Sequence, residues 1–230
     1  MTEPEKPHRA IRSFVRREGR ITEAQKRALD ELLPRYGVAP GNAPLDFAAL
    51  FGRVAPVHIE IGFGNGEALA AMAAVHPHND YLGIEVHGPG VGMLLRRLSA
   101  DSIANVRVIS ADAKDVLEQR IPDGALDAIS IFFPDPWPKN RHHKRRLVQP
   151  ALLELLRRKL KIGGQINLAT DWEDYAQHML AVLSAAEGFE NSAGANRFAP
   201  RPTTRPLTKF ERRGQRLGHG VWDLVFRRLS

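Results

Sequence analysis

Cysteine is absent from the 230 residues. Disulfides, zinc ribbons, iron–sulfur clusters and thiol nucleophiles are therefore excluded. Long apolar runs are absent as well, and none approaches the roughly 18 residues that a membrane-spanning helix needs. The opening MTEPEKPHRA has no apolar stretch of the kind that marks a signal peptide, so a cytoplasmic location is expected. No internal repeat or low-complexity tract occurs, and His76, His78, His142 and His143 show no metal-ligand spacing. Acidic residues are outnumbered, 26 against 33 basic ones, for a net charge of +7. Only 8 of the basic residues are lysine, and arginine forks suit phosphate geometry. This charge suggests a polyanionic partner, and a genomic codon bias toward arginine is the alternative source of it.

The basic residues are unevenly placed. Residues 1–42 read as a polar arm and linker, partly disordered, in which Arg9, Arg12, Arg16, Arg17 and Arg20 precede any core-like pattern. A short helix fits 22–33 with Thr22 as cap, and one or two turns fit 46–51, stopped by Gly52. From Val57 strands and helices alternate. Strands are expected at 57–61, 81–86, 106–110, 126–133, 165–170 and 221–226. Helices are expected at 68–75, 91–99, 113–120, 150–160 and 172–186, with Gly163 and Gly164 as stop signals after the fourth. The class is doubly wound α/β with a mostly parallel sheet and helices on both faces.

The segment 57–67, VHIEIGFGNGE, is a buried strand running into Gly62, Gly64 and Gly66 and then a helix. Such a turn lets a ligand approach the backbone and offers it free N–H groups. Glu60, Glu85 and Asp112 stand at or near the ends of three successive strands, where open parallel sheets bind ligands. A carboxylate after the second strand can accept from ribose hydroxyls, and one after the third can reach an adenine amine. Glu67 sits where a dinucleotide fingerprint has its third glycine, and it would repel a pyrophosphate. The set favours S-adenosylmethionine over NAD. Each acid also has a structural reading: Glu60 paired with a buried arginine, Glu85 solvated at a strand end, Asp112 capping a helix.

The fourth strand leads into Phe133-Pro134-Asp135-Pro136-Trp137-Pro138-Lys139, a loop in which three prolines fix φ. Asp135 is held at the strand edge nearest the bound methyl group, and Trp137 could stack on a base or sit in the core. Arg141, His142, His143, Lys144, Arg145 and Arg146 follow at once, a run without acid that suits phosphates. Asp171 ends the fifth strand and reads as a cap for the next helix, with Asp174 at the third position. Thr208, Lys209, Phe210 and Glu211 can offer a hydroxyl, an ammonium, a ring and a carboxylate to a nucleobase.

The strings EIGFGNG, GIEVHGPG, FFPDPWPKNRHHKRR, ATD and PLTKFERRG resemble the bacterial tRNA (guanine-N7-)-methyltransferase family, in order, from Arg12 to the C-terminus. The resemblance implies a class I, Rossmann-like fold over 43–230, with a seven-stranded sheet and an antiparallel last strand. It implies an S-adenosylmethionine site at Glu60, Gly62, Gly64, Gly66, Glu85, Asp112 and Asp135, with Asp135 the active-site residue. Lys139, Asp171, Thr208, Lys209, Phe210 and Glu211 would bind the substrate guanine and Arg141–Arg146 the tRNA. The implied target is guanosine 46 in the variable loop. Gly88 departs from the serine expected in many members. The rival readings are a methyltransferase for another RNA base, a non-catalytic RNA-binding protein on the same scaffold, and a nicotinamide dehydrogenase. A monomer and a homodimer are both compatible with the sequence, and no membrane is involved.

Overall fold

A computed structural model describes residues 21–208, 211–212 and 220–230. The arm residues Arg9, Arg12, Arg16, Arg17 and Arg20, together with Lys209 and Phe210, lie outside the described residues. The elements run α1 (Glu23–Tyr36), α2 (Phe47–Phe51), β1 (Val57–Ile61), α3 (Glu67–Val75), β2 (Asp80–Ile84), α4 (Gly88–Ala100) and β3 (Val106–Ile109). They continue with α5 (Ala113–Gln119), β4 (Leu126–Phe132), α6 (Pro150–Lys159), β5 (Leu160–Thr170), α7 (Glu173–Ala185), β6 (Phe189–Asn191) and β7 (Trp222–Arg228). The seven-stranded sheet has the order β3-β2-β1-β4-β5-β7-β6. The first five strands are parallel to one another, and β7 is antiparallel to both β5 and β6.

Local chemistry sets most boundaries. Thr22 and Gln25 form a capping box that starts α1, with Thr22 N donating to Gln25 Oε1 at 2.8 Å. Asp46 caps α2 through the Ala49 N–H, and Gly52 ends it at φ 72°. Helix α1 runs past the expected stop at Pro34, because Tyr36 is buried and holds the last turn on the core. It packs on α4, with Gly37 bridged to Val108, so the described part of 1–42 belongs to the fold rather than to a loose arm. Helix α4 begins three residues earlier than expected, since Pro89 is compatible with a first helical turn.

Two expectations are corrected here. Gly163 and Gly164 lie inside β5, which starts at Leu160. The β4–β5 register jumps from Leu126↔Leu160 to Ala128↔Gln165, and Gly163 takes φ 83° in the bulge. The short strand β6 has no counterpart among the strands legible in the sequence. Three residues carry too little pattern to show alternation.

The sheet separates two apolar cores. Ile59, Ile61, Ile84, Ile129, Ile131 and Ile166 meet α5, α6 and α7 on one face. On the other, α1, α3 and α4 bury Leu69, Tyr81, Leu94, Leu95 and Val106 over β1–β3. Toward β4 and β5 that second face changes to Ala128, Ser130, Gln165 and Asn167, beside a cavity of about 150 Å³ bounded by the 202–205 segment. Among the described residues no helix is long and apolar enough to cross a membrane.

Candidate active site

Adjacent parallel strands bring Gly62, Gly64, Glu85, Asp135 and Asp171 to one edge of the sheet, beyond the carboxyl ends of β1, β2, β4 and β5. Gly62 (φ 71°) and Gly64 (φ 56°) form the turn after β1. A Cβ built on either meets nothing within 4 Å, so these glycines leave open room beside the backbone. Gly66 differs: a Cβ there would stand 2.5 Å from Leu94, so its role is packing α3 against α4. On the far side, a Cβ at Gly90 would lie 2.1 Å from the Gly64 carbonyl oxygen.

Glu85 organises this turn. One of its carboxylate oxygens accepts from the Gly64 N–H (2.9 Å), the other from the N–H groups of Val86 (2.7 Å) and His87 (3.0 Å). Glu85 is therefore buried and tied to backbone, not merely solvated. Glu60 is buried at 3% exposure, and its Oε2 has no hydrogen-bond partner. No buried arginine pairs with it among the described residues. Burial, and then the charge of Glu85, push its carboxyl up to about 8. Asp112 caps α5, its Oδ1 accepting from the Lys114 N–H at 2.9 Å. Glu67, in the first turn of α3, approaches Arg212 at 3.5 Å, which links this half to the C-terminal loop.

These features fit S-adenosylmethionine. The open side of the turn admits a ligand against backbone, and the buried carboxyl of Glu60 has an oxygen left for a ligand's hydrogen bond. Glu67 at the helix start is compatible with a ligand that carries no phosphate.

Beyond β4 the loop is strained where it must be rigid. Phe133 (φ 51°) and Trp137 (φ 46°) both adopt left-handed backbone, uncommon for bulky side chains, with Pro134 and Pro136 between them. Phe133 N–H donates to the Ala169 carbonyl at 2.8 Å, anchoring the loop to β5. Asp135 is exposed, and no hydrogen bond or ion pair engages it among the described residues. Lys139 and Asp171 are exposed on the same edge. Asp171 does not cap α7: Trp172 stands at that position, and its N–H donates to Thr170 Oγ1.

The basic run is not one surface. Residues Asn140–Arg145 wind into a 3₁₀ turn. Arg141 and Lys144 are exposed. Arg145 lies over the Trp137 ring at 5.0 Å and His142 meets the ring edge at 5.8 Å, so a base could stack on that face only if Arg145 moved. Desolvation and the cations Arg141, Arg145, Lys139 and Lys144 hold His142 below its ordinary range. Arg146, expected to bind RNA, is 3% exposed and faces inward. Its Nε donates to the Pro136 carbonyl, its Nη2 pairs with Asp174, and it covers the Tyr175 ring at 4.9 Å. His143 turns toward the same Arg146–Asp174 pair. Arg146 thus braces the Asp135 loop from behind, and its hydrogen bond is the largest cause holding Asp174 below the usual carboxylate range.

In the C-terminal loop Thr208 and Glu211 are buried, and the Glu211 N–H donates to Thr208 Oγ1. Sequence reasoning missed their partner. Arg205, 2% exposed, is bound by both Glu211 and Asp223. The available signal was Asp223, an acid inside the apolar strand VWDLVF, which requires a buried cation. No group of three or more His, Cys, Asp or Glu could hold a metal among the described residues.

Comparison with known proteins agrees with this geometry. The family model described as "Putative methyltransferase" matches residues 54–224. A tRNA (guanine-N(7)-)-methyltransferase of Saccharophagus degradans is 55% identical over 98% of this chain and 99% of its own length. That of Aeromonas hydrophila is 57% identical over 96% and 94%. Among solved structures, the 16S rRNA methyltransferase KamB superposes with a TM-score of 0.60 at 15% identity, over 85% of this chain and 99% of that one. An S-adenosylmethionine-dependent methyltransferase from Aquifex aeolicus reaches 0.53 at 13%, over 89% of each. These two share the fold. With more than half its sequence in common with relatives of matching length, the chain belongs to the tRNA (guanine-N(7)-)-methyltransferase family.

Proposed function

We propose that the chain methylates N7 of a guanine in tRNA, using S-adenosylmethionine, and that the guanosine at position 46 is the target. The observation that carries this is Asp135: an exposed carboxylate that takes part in no hydrogen bond among the described residues, fixed by prolines and two left-handed aromatic residues. Guanine N7 has a lone pair and no proton, so no base is needed to activate it. The cofactor supplies, when bound, an electrophilic methyl group on a positively charged sulfur. Gly62, Gly64, Glu60, Glu85 and Asp112 would hold it, while Gly66 keeps α3 against α4 behind the turn. Asp135 stabilises the positive charge that develops on the purine and can accept from its N1–H and exocyclic amine. Lys139, Asp171, Thr208, Lys209 and Phe210 would contact the base, and Glu211, bound on both oxygens by Arg205, would hold Thr208 in place.

A guanine folded within tRNA must be extruded, at a cost of a few kcal/mol. Arg141 and Lys144, exposed beside the crevice, offset that cost through phosphate contacts. The test is incubation of unmodified tRNA with methyl-labelled cofactor, followed by nucleoside mapping. Label in 7-methylguanosine is expected. Label on another base, or none, overturns the reading.

A further inference from the structure

We propose that Arg205 is a positioning residue of the methyl transfer, tying Thr208, Glu211 and the Asp135 loop to one strand. The proposal rests on the functional reading above. Arg205 Nε and Nη2 donate to the two oxygens of Asp223 at 2.6 and 2.9 Å, and Nη1 and Nη2 to those of Glu211 at 2.5 and 2.9 Å. Both contacts are two-point, which fixes orientation as well as distance. All three side chains are at most 4% exposed.

The connections close on the reaction centre. Asp223 stands on β7 opposite Ala169 of β5, and the Ala169 carbonyl holds the N–H of Phe133, two residues before Asp135. The Arg205 guanidinium also lies 5.7 Å from the Phe133 ring centroid. On the other side Glu211 is bonded to Thr208, and Arg212 reaches Glu67 at the start of α3. One arginine therefore joins the substrate-facing loop, the last strand and the strained residue that begins the Asp135 loop.

Stability alone does not explain the arrangement. One cation against two buried acids leaves a net negative charge inside the protein, and apolar replacements of such triads are often no less stable. Fixed geometry is what the triad provides, and misplacement by about 1 Å can cost on the order of 10²-fold in rate.

Two variants test this in the full chain. Arg205→Lys keeps the charge and loses the fork. Asp223→Asn keeps the shape, leaves a balanced Arg205–Glu211 pair and frees one anchor. The measurements are thermal unfolding, S-adenosylmethionine affinity by calorimetry and single-turnover methyl transfer to tRNA. For Arg205→Lys the expected result is a folded protein with cofactor affinity within about twofold and a rate lower by roughly 10²-fold. Asp223→Asn is expected to move the rate the same way, by less. If Arg205→Lys does not fold, Asp223→Asn decides. Folded variants with a rate within about twofold of wild type overturn the proposal. So does a rate loss matched by an equal loss of cofactor affinity, which would mark the triad as general scaffold. A wild-type chain that methylates no tRNA sinks the functional reading itself; active wild type beside unimpaired variants sinks this proposal alone.

Discussion

Around the cofactor turn, carboxylates are held by backbone N–H groups close by in the chain or on the next strand. Glu85 takes its three from Gly64, Val86 and His87, and Asp112 takes one from Lys114. Across the crevice, charged side chains hold one another over long separations, Arg146 with Asp174 and Arg205 with Asp223. The first design depends on glycine and strand register, which few substitutions can imitate. The second depends on matched pairs, and loss of an acid leaves a buried arginine short of a partner.

The largest expected effect lies on the substrate side. Asp135→Ala should lower the rate of methyl transfer by about 10²-fold or more while cofactor affinity holds. Unchanged turnover would remove Asp135 from its role and leave the two halves without a chemical division.

Glu60 offers a pH test of the cofactor side. In the folded chain it keeps its proton to about pH 8, and in the unfolded chain it loses it near 4.5. Below 4.5 both states are protonated. As pH rises from there toward 8 the unfolded state gains, so folding stability falls by a few kcal/mol, at about 1.4 kcal/mol per unit. Glu60→Gln should flatten that part of the stability profile. An unchanged profile in chemical denaturation would show that Glu60 is not the titrating group.

Glu85→Ala should weaken cofactor binding by roughly 10- to 100-fold, as its hydrogen bonds each involve a charged acceptor. Calorimetry checks this, and the rate at saturating cofactor should change far less. Arg146 and Arg141 then separate support from RNA contact. Arg146→Ala should destabilise the fold by about 1.5–3 kcal/mol. Arg141→Ala should leave stability within about 0.5 kcal/mol and reduce the salt slope of tRNA binding by about 1. Equal behaviour of the two would erase the distinction between them. Smallest of all, Gly88→Ser should change the melting temperature little. Gly88 opens α4, and a Cβ there meets nothing within 4 Å.

What could be read from the sequence follows the same division. Strand β1 falls on the predicted residues, and Asp46, Gly52 and Pro150 mark helix ends as expected, because each signal acts within a few residues. The glycine turn after β1 is legible for the same reason, whereas the bond from Gly64 to Glu85 spans 21 residues and appears only in the fold. Arg146 resembles its exposed neighbours in composition. Only the packing of α7 beneath it turns it inward, against Tyr175 and Asp174. The Arg205 triad joins residues 6 and 18 apart and shows in no local pattern. The strand reading of 165–170 missed five residues, since two glycines argue for a break and only the pairing with β4 reveals a bulge.

The glycines of α4 set a limit on redesign. Gly90 presses on the carbonyl of Gly64, and a Cβ on Gly92 would stand 2.8 Å from the Gln25 carbonyl. Main chain therefore abuts main chain from α1 through α4 to the glycine bend after β1, with no slack between layers. An enlarged cofactor analogue must find its room on the crevice side, since the bend cannot retreat. A chain shortened at residue 42 would lose the outermost of those layers.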